Sequence, residues 1–189
     1  IRYNAGWNEE NTDYPLYKDS RDKGFVEACE EVLSNPLMMQ QWAEEADPDD
    51  PLSPVKGDVQ AFSYYTLPDG KVAGMWKYAL SALSEDKGET WTKPTRSPGF
   101  FTKNAKMWGQ KLSDGKYVTV YNPSTFRWPL ALSLSENGRD YSNLLLINGE
   151  ITAARYAGHH KQYGPQYVRG IIEGNGVPPD GNLWLTYSM

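Results

Sequence analysis

The 189-residue chain has a single cysteine, Cys29, so no internal disulfide braces the fold and cysteine usage does not indicate a redox compartment. Histidine is almost as scarce. The two present, His159 and His160, are neighbours with no cysteine cluster near them in sequence, an arrangement ill suited to ligating one zinc. No metal site and no cofactor is therefore expected. No apolar run approaches the roughly 20 residues that a membrane-spanning helix needs. Positive charge is in deficit, 19 Lys and Arg against 24 Asp and Glu, and a net charge of −5 argues against nucleic acid or an anionic membrane as partner.

Aromatic and turn-forming residues are plentiful. Seven Trp, thirteen Tyr and five Phe supply the bulk for a sizeable core, and 17 Gly with 13 Pro suit many short strands joined by turns. Three segments repeat one pattern, a strand, an Asp-Gly turn and a returning strand. They are Asp58 to Thr66 with Leu67-Pro68-Asp69-Gly70 and Lys71 to Ala79; Lys106 to Leu112 with Ser113-Asp114-Gly115 and Lys116 to Tyr121; and Gln166 to Glu173 with Pro179-Asp180-Gly181 and Asn182 to Tyr187.

Between the repeats stands Ser84-Glu85-Asp86-Lys87-Gly88-Glu89-Thr90-Trp91, of the form S-x-D-x-G-x-T-W. Its Asp accepts backbone N–H groups two or three residues on, Gly88 tolerates a left-handed backbone, Thr90 starts the next strand and Trp91 buries its ring beside it. Ser20-Arg21-Asp22-Lys23-Gly24 repeats the first half, and Ser135-Glu136-Asn137-Gly138-Arg139-Asp140-Tyr141 keeps Ser, Gly and an aromatic. The stretch resembles the Asp-box, or BNR repeat, of sialidases and related β-propellers. The runs Met107-Trp108-Gly109-Gln110, Phe126-Arg127-Trp128-Pro129-Leu130 and Tyr163-Gly164-Pro165-Gln166-Tyr167-Val168-Arg169-Gly170-Ile171 are similar to bacterial secreted proteins of that kind. The fold expected is all-β, a partial propeller of about three four-stranded blades out of six, at roughly 58–100, 104–148 and 165–189, the last incomplete. The 189 residues then form a fragment of one propeller domain in a longer, secreted or periplasmic protein.

A different periodicity interrupts the strands early. Phe25, Val26, Cys29, Val32 and Leu33 recur at helical spacing, Ser34-Asn35-Pro36 stops and restarts the helix, and Leu37, Met38, Gln41 and Trp42 continue it to about residue 46. This helical insertion either packs on the side of the propeller or walls its binding face.

The blade pattern dictates which loops can meet a ligand. In an up-and-down four-stranded blade the Asp-Gly turns and Asp-boxes share one end, and the loops joining second to third strands, or one blade to the next, lie at the other. The innermost first strands border the central channel there, so their starting residues crowd its mouth. Asp58, Lys106, Tyr167 and Arg169 are nominated in this way. Loops running to the same end add Arg127, Trp128, Arg155, His159, His160, Lys161 and Tyr163, a cationic and aromatic set.

Such a set suits an acidic sugar, because guanidinium pairs with carboxylate in a bidentate manner and aromatic rings stack on a pyranose. The resemblance to sialidases implies roles. Asp58 would be the acid, Tyr167 or Tyr163 the nucleophile assisted by Glu173, and Arg127, Arg155 and Arg169 the carboxylate clamp, with Lys106, Trp128, His159 and Tyr163 also binding substrate. The F/Y-R-I-P motif of sialidases has no counterpart here. Simpler readings accompany each residue: packing for the tyrosines, a turn for Asp58, and a partner for a buried Arg169 in the case of Glu173. The function expected is an exo-acting glycoside hydrolase on an acidic sugar. The alternatives are a lyase or hydrolase on uronate polysaccharide using His160 and Tyr163, and a carbohydrate-binding propeller without catalysis.

Overall fold

The computed structural model describes residues 16–42, 59–150, 164–170 and 180–189, with the side chain of Trp42 left out. Two helices open the described chain, α1 (Lys23–Ser34) and α2 (Pro36–Trp42). Ten strands follow, β1 (Ser63–Thr66), β2 (Val72–Trp76), β3 (Leu80–Ser84), β4 (Thr95–Arg96), β5 (Trp108–Lys111), β6 (Tyr117–Tyr121), β7 (Leu130–Ser135), β8 (Ser142–Asn148), β9 (Gln166–Gly170) and β10 (Leu185–Ser188). They form antiparallel sheets in the orders β1-β2-β3-β4, β5-β6-β7-β8 and β10-β9.

Consecutive sheets meet through their first strands, β1 beside β5 and β5 beside β9. That succession around a shared axis is the arrangement of a propeller. The core lies in the seams between sheets. Tyr65, Leu67, Ala73 and Met75 of the first sheet pack on Met107, Tyr117 and Tyr121 of the second, and Trp108, Val118, Val120 and Leu130 pack on Val168 of the third. Strands β2 and β6 are buried along their whole length: sheets flank β6 on both sides, while β2 has the second sheet on one face and Leu37, Phe62 and Trp91 on the other. The outermost β8, by contrast, is exposed over most of its length. The inner strands approach so closely that a Cβ on Gly109 would run into Met75 and Tyr65. Its backbone N–H donates instead to Ser63 Oγ at 3.0 Å, joining two blades.

The Asp-Gly turns repeat in atomic detail. Leu67 N–H donates to the Lys71 carbonyl and Gly70 N–H to the Leu67 carbonyl; Leu112, Lys116 and Gly115 do the same one blade on. Asp69, Asp114 and Asp180 each accept the backbone N–H two residues later. In the Asp-box, Ser84 Oγ donates to Asp86 Oδ1 at 2.7 Å and accepts Gly88 N–H at 2.8 Å, while Asp86 Oδ1 accepts Thr90 N–H at 2.9 Å. The second box is built alike, with Asn137 Oδ1 accepting the N–H groups of Arg139 and Asp140, and Ser135 Oγ that of Gly138.

Three sequence expectations change. Ser20–Gly24 is not a box: Asp22 caps α1, its carboxylate accepting Phe25 N–H at 3.1 Å, and the helical residues that follow divert the chain. Thr90 does not begin a strand; β4 starts at Thr95, and Trp91 instead stacks edge-on against Trp76 and Phe62 over Gly74. The helices begin at Lys23 rather than residue 25. Leu37 of α2 joins Phe62, Val72, Trp76 and Ala82 and sits against Gly88 of the Asp-box, so α2 packs beside the box and not over the opposite end. Asn35 caps it, accepting the N–H groups of Leu37 and Met38. Among the described residues no helix is long and apolar enough to cross a membrane.

Candidate functional site

At the end opposite the boxes, the loop from β6 to β7 carries Asn122 to Pro129. Asn122 is fully buried, and its amide donates to the carbonyls of Arg127, Pro129 and Pro165 at 2.8–3.0 Å. One side chain thus ties the loop to itself and to the residue preceding β9. Ser124 Oγ donates to the Trp128 carbonyl, the Trp128–Pro129 peptide is cis, and the Trp128 indole donates to the Gly149 carbonyl at 2.6 Å. Held in this way, Arg127 adopts a left-handed backbone, φ 59°, and turns its side chain inward, leaving the residue 6% exposed.

The Arg127 guanidinium donates to Gln166 Oε1 at 3.1 Å, to the Tyr167 phenol oxygen at 3.3 Å and to the Asn104 carbonyl at 3.0 Å. It also lies 5.5 Å from the Tyr167 ring centroid. None of the three acceptors is a carboxylate. Among the described residues its Nε and the buried Oδ1 of Asn104 have no hydrogen-bond partner. Tyr167, 40% exposed and itself left-handed with φ 56°, presents its ring on the open side. A buried guanidinium surrounded by neutral acceptors leaves an uncompensated positive potential.

Two further cations, Lys106 and Arg169, influence each other. Burial, and then repulsion from Arg169, push the Lys106 ammonium down to about 8. Arg169 lies 5.7 Å over the Trp108 ring and is exposed, contrary to the buried guanidinium expected from its place on an inner strand. Among the described residues its partner is the Trp108 ring. Two pairs of nominated residues are thus brought together, Arg127 with Tyr167 and Lys106 with Arg169, on and beside the first strands of the second and third sheets. Trp128 follows Arg127 in the loop, its indole N–H already committed to Gly149.

Asp58, Arg155, His159, His160, Lys161, Tyr163 and Glu173 lie outside the described residues. No group of three metal-ligating side chains occurs among the described residues. Sequence reasoning passed over Asn104, Asn122 and Gln166, which position Arg127. Asn122-Pro123 and Trp128-Pro129 frame the loop and were the available signal; the partners of Arg127 come from other strands and gave none.

Known proteins match this architecture. A solved structure named "Sialidase" superposes with a TM-score of 0.86 and is 60% identical over 97% of this chain, which spans 17% of that structure's chain. Among curated proteins none matches. A family model described as the BT_1020-like N-terminal beta propeller matches residues 1–59. A second, described as the BNR repeat-like domain, matches residues 60–170, which hold both four-stranded sheets, both boxes and Arg127. With its fold, its two boxes and this match in agreement, the chain belongs to the BNR repeat-like family.

Proposed function

We propose that this chain contributes to a carbohydrate-active propeller that hydrolyses the glycosidic bond of a terminal acidic sugar. The observation that carries the reading is the Arg127 guanidinium, buried at the mouth and donating, among the described residues, to amide, phenol and carbonyl oxygens. A ligand carboxylate supplies the missing anion. Bidentate pairing fixes its orientation, and burial strengthens the pairing. In this reading Lys106 and Arg169 add the charge that draws such a ligand in, and Arg155 is assigned to the same clamp from the sequence.

The chemistry follows from what stands next to the clamp. Tyr167 receives an N–H from Arg127, which favours negative charge on the phenol oxygen, the form in which it attacks an anomeric carbon. In this reading Glu173 takes the phenol proton, and Asp58 protonates the departing oxygen and then activates water. Action on an extracellular glycan makes this an exported protein. The likeness to a structure named "Sialidase" at 60% identity supports the reaction class and leaves the sugar open.

The test is product analysis with the intact protein on glycans ending in sialic acid, galacturonic acid and glucuronic acid. Release of a free acidic monosaccharide from one of them, abolished in Tyr167→Phe, is the expected result. An unsaturated uronate absorbing in the ultraviolet would identify a lyase instead. Binding without turnover would leave a carbohydrate-binding module.

A further inference from the structure

Three exposed aromatic side chains stand at the same end of the blades as Arg127. Tyr78 lies in the turn from β2 to β3, Phe101 in the connection from β4 to β5, and Phe126 beside Arg127 itself, with exposures of 42%, 51% and 68%. Single exposed apolar residues are ordinary on a surface. These three are joined through one strand of chain. Tyr78 N–H donates to the Lys103 carbonyl at 2.8 Å, the Lys103 ammonium rests 5.8 Å from the Phe101 ring, and the next residue, Asn104, offers its carbonyl to Arg127.

Tyr78 is also conformationally strained. It and Ala79 occupy the left-handed region in succession, with φ 65° and 58°, at about 1–2 kcal/mol for each residue. Ser97 N–H donating to the Ala79 carbonyl holds the turn in that shape. Nor does the turn bury the residue fully: Tyr78 keeps 42% of its surface in solvent. A bulky residue kept in an unfavourable backbone while its side chain faces outward points to a role for the ring.

We propose that Tyr78, Phe101 and Phe126 form a stacking platform for the sugar units that follow the terminal acidic sugar, so that the substrate is an oligosaccharide or polysaccharide and not a small glycoside. The inference rests on Arg127 anchoring the acidic unit. The flat rings offer apolar faces to the C–H faces of pyranoses, and Lys103 beside Phe101 extends the positive potential toward any further carboxylate. The region between Arg127 and Tyr78 is bridged by backbone of residues 103 and 104, a route along which a chain of sugars can lie.

Calorimetric titration of the full-length protein carrying Tyr167→Phe, in which the substrates are not turned over, tests this with two pairs of ligands: galacturonic acid with its linear oligomer, and N-acetylneuraminic acid with sialyllactose. In at least one pair the oligosaccharide is expected to bind about tenfold more tightly than its monosaccharide. The double variant Tyr78→Gly with Phe126→Ala should erase that advantage and leave monosaccharide affinity unchanged. Glycine keeps the left-handed backbone available, and Phe126 has little packing to lose. An oligosaccharide that binds no better than its monosaccharide, or an advantage that survives the double variant, overturns the platform. Arg127→Ala should weaken both members of the pair equally. If it weakens neither while the double variant still acts, the anchor is wrong and the platform stands; binding of none of the four ligands sinks both.

Discussion

Arg127 and Tyr167, 40 residues apart in the chain, meet in two ways at once: a hydrogen bond of 3.3 Å to the phenol oxygen and a guanidinium 5.5 Å from the ring centroid. The contact joins a loop of the second blade to the first strand of the third. It commits a fixed cation to the oxygen proposed to attack.

Replacing Arg127 with Ala is therefore expected to weaken binding of a carboxylate ligand by about 1.5–3 kcal/mol, the scale of a hydrogen bond to a charged group. Arg127→Lys should not restore it, since an ammonium cannot reproduce the planar fork that reaches Gln166, Tyr167 and Asn104 together. Calorimetry with the acidic monosaccharide decides the matter, and an active Lys variant would contradict the forked geometry.

Lys106 makes the site sensitive to alkali. With its ammonium held at about 8 by burial and by Arg169, it loses its charge well before an ordinary lysine does at 10.5. Carboxylate affinity should fall as pH rises through about 8, and in Lys106→Met that fall should vanish. The stability effect has the opposite sense. The unfolded chain keeps the proton longer than the folded one, so unfolding free energy should rise between about pH 8 and 10.5 in the native protein, an increment missing from Lys106→Met. Binding and denaturant titrations across that range measure the two effects separately.

Asn122 should matter out of proportion to its size. Its amide serves the carbonyls of Arg127, Pro129 and Pro165, and removing it leaves buried acceptors unsatisfied. Asn122→Ala is expected to cost about 2–4 kcal/mol of stability. Asn122→Asp, of the same shape, should be at least as damaging, because a carboxylate would face three carbonyl oxygens. A denaturation midpoint unchanged in both variants would remove Asn122 from the frame of the site.

The two boxes should part company in acid. The hydroxyl of Thr90 first, then its backbone N–H, then Ser84 hold the Asp86 carboxyl down at about 2, against 3.8 for a free one. Its depressed folded value gives a contribution that is complete above about pH 4 and lost as pH falls toward 2. Asp86→Asn should flatten the stability curve over that window, since Asn137 shows that an amide can hold the same turn. A variant as steeply acid-sensitive as the native protein would assign the dependence elsewhere.

What the sequence revealed and what it hid divide along chain distance. Asp69-Gly70, Asp114-Gly115 and Asp180-Gly181 are local devices, and each folds into the turn its residues require. The same local chemistry misled at Ser20–Gly24. An aspartate whose carboxylate accepts a backbone N–H just ahead of it, three residues on at Asp22 and four at Asp86, caps a helix as readily as it closes a box, and only the helix-forming residues after Gly24 decide between them. The frame of Arg127 was illegible for the opposite reason. Asn122 reaches Pro165 across 43 residues, and nothing in the neighbourhood of either announces the other. The end of the blades at which Arg127 stands was predictable from strand order, while its burial against neutral oxygens was not.

Gly109 and Gly170 occupy the inner strands β5 and β9, and a methyl group on either would collide with the neighbouring blade, Met75 and Tyr65 in one case and Trp108 in the other. The missing side chains let successive inner strands draw together, so these two positions help set the bore of the central channel. How near the second blade can come to its neighbours on either side, and with it the meeting of Arg127 and Tyr167, is thereby tied to two residues that have no side chain of their own.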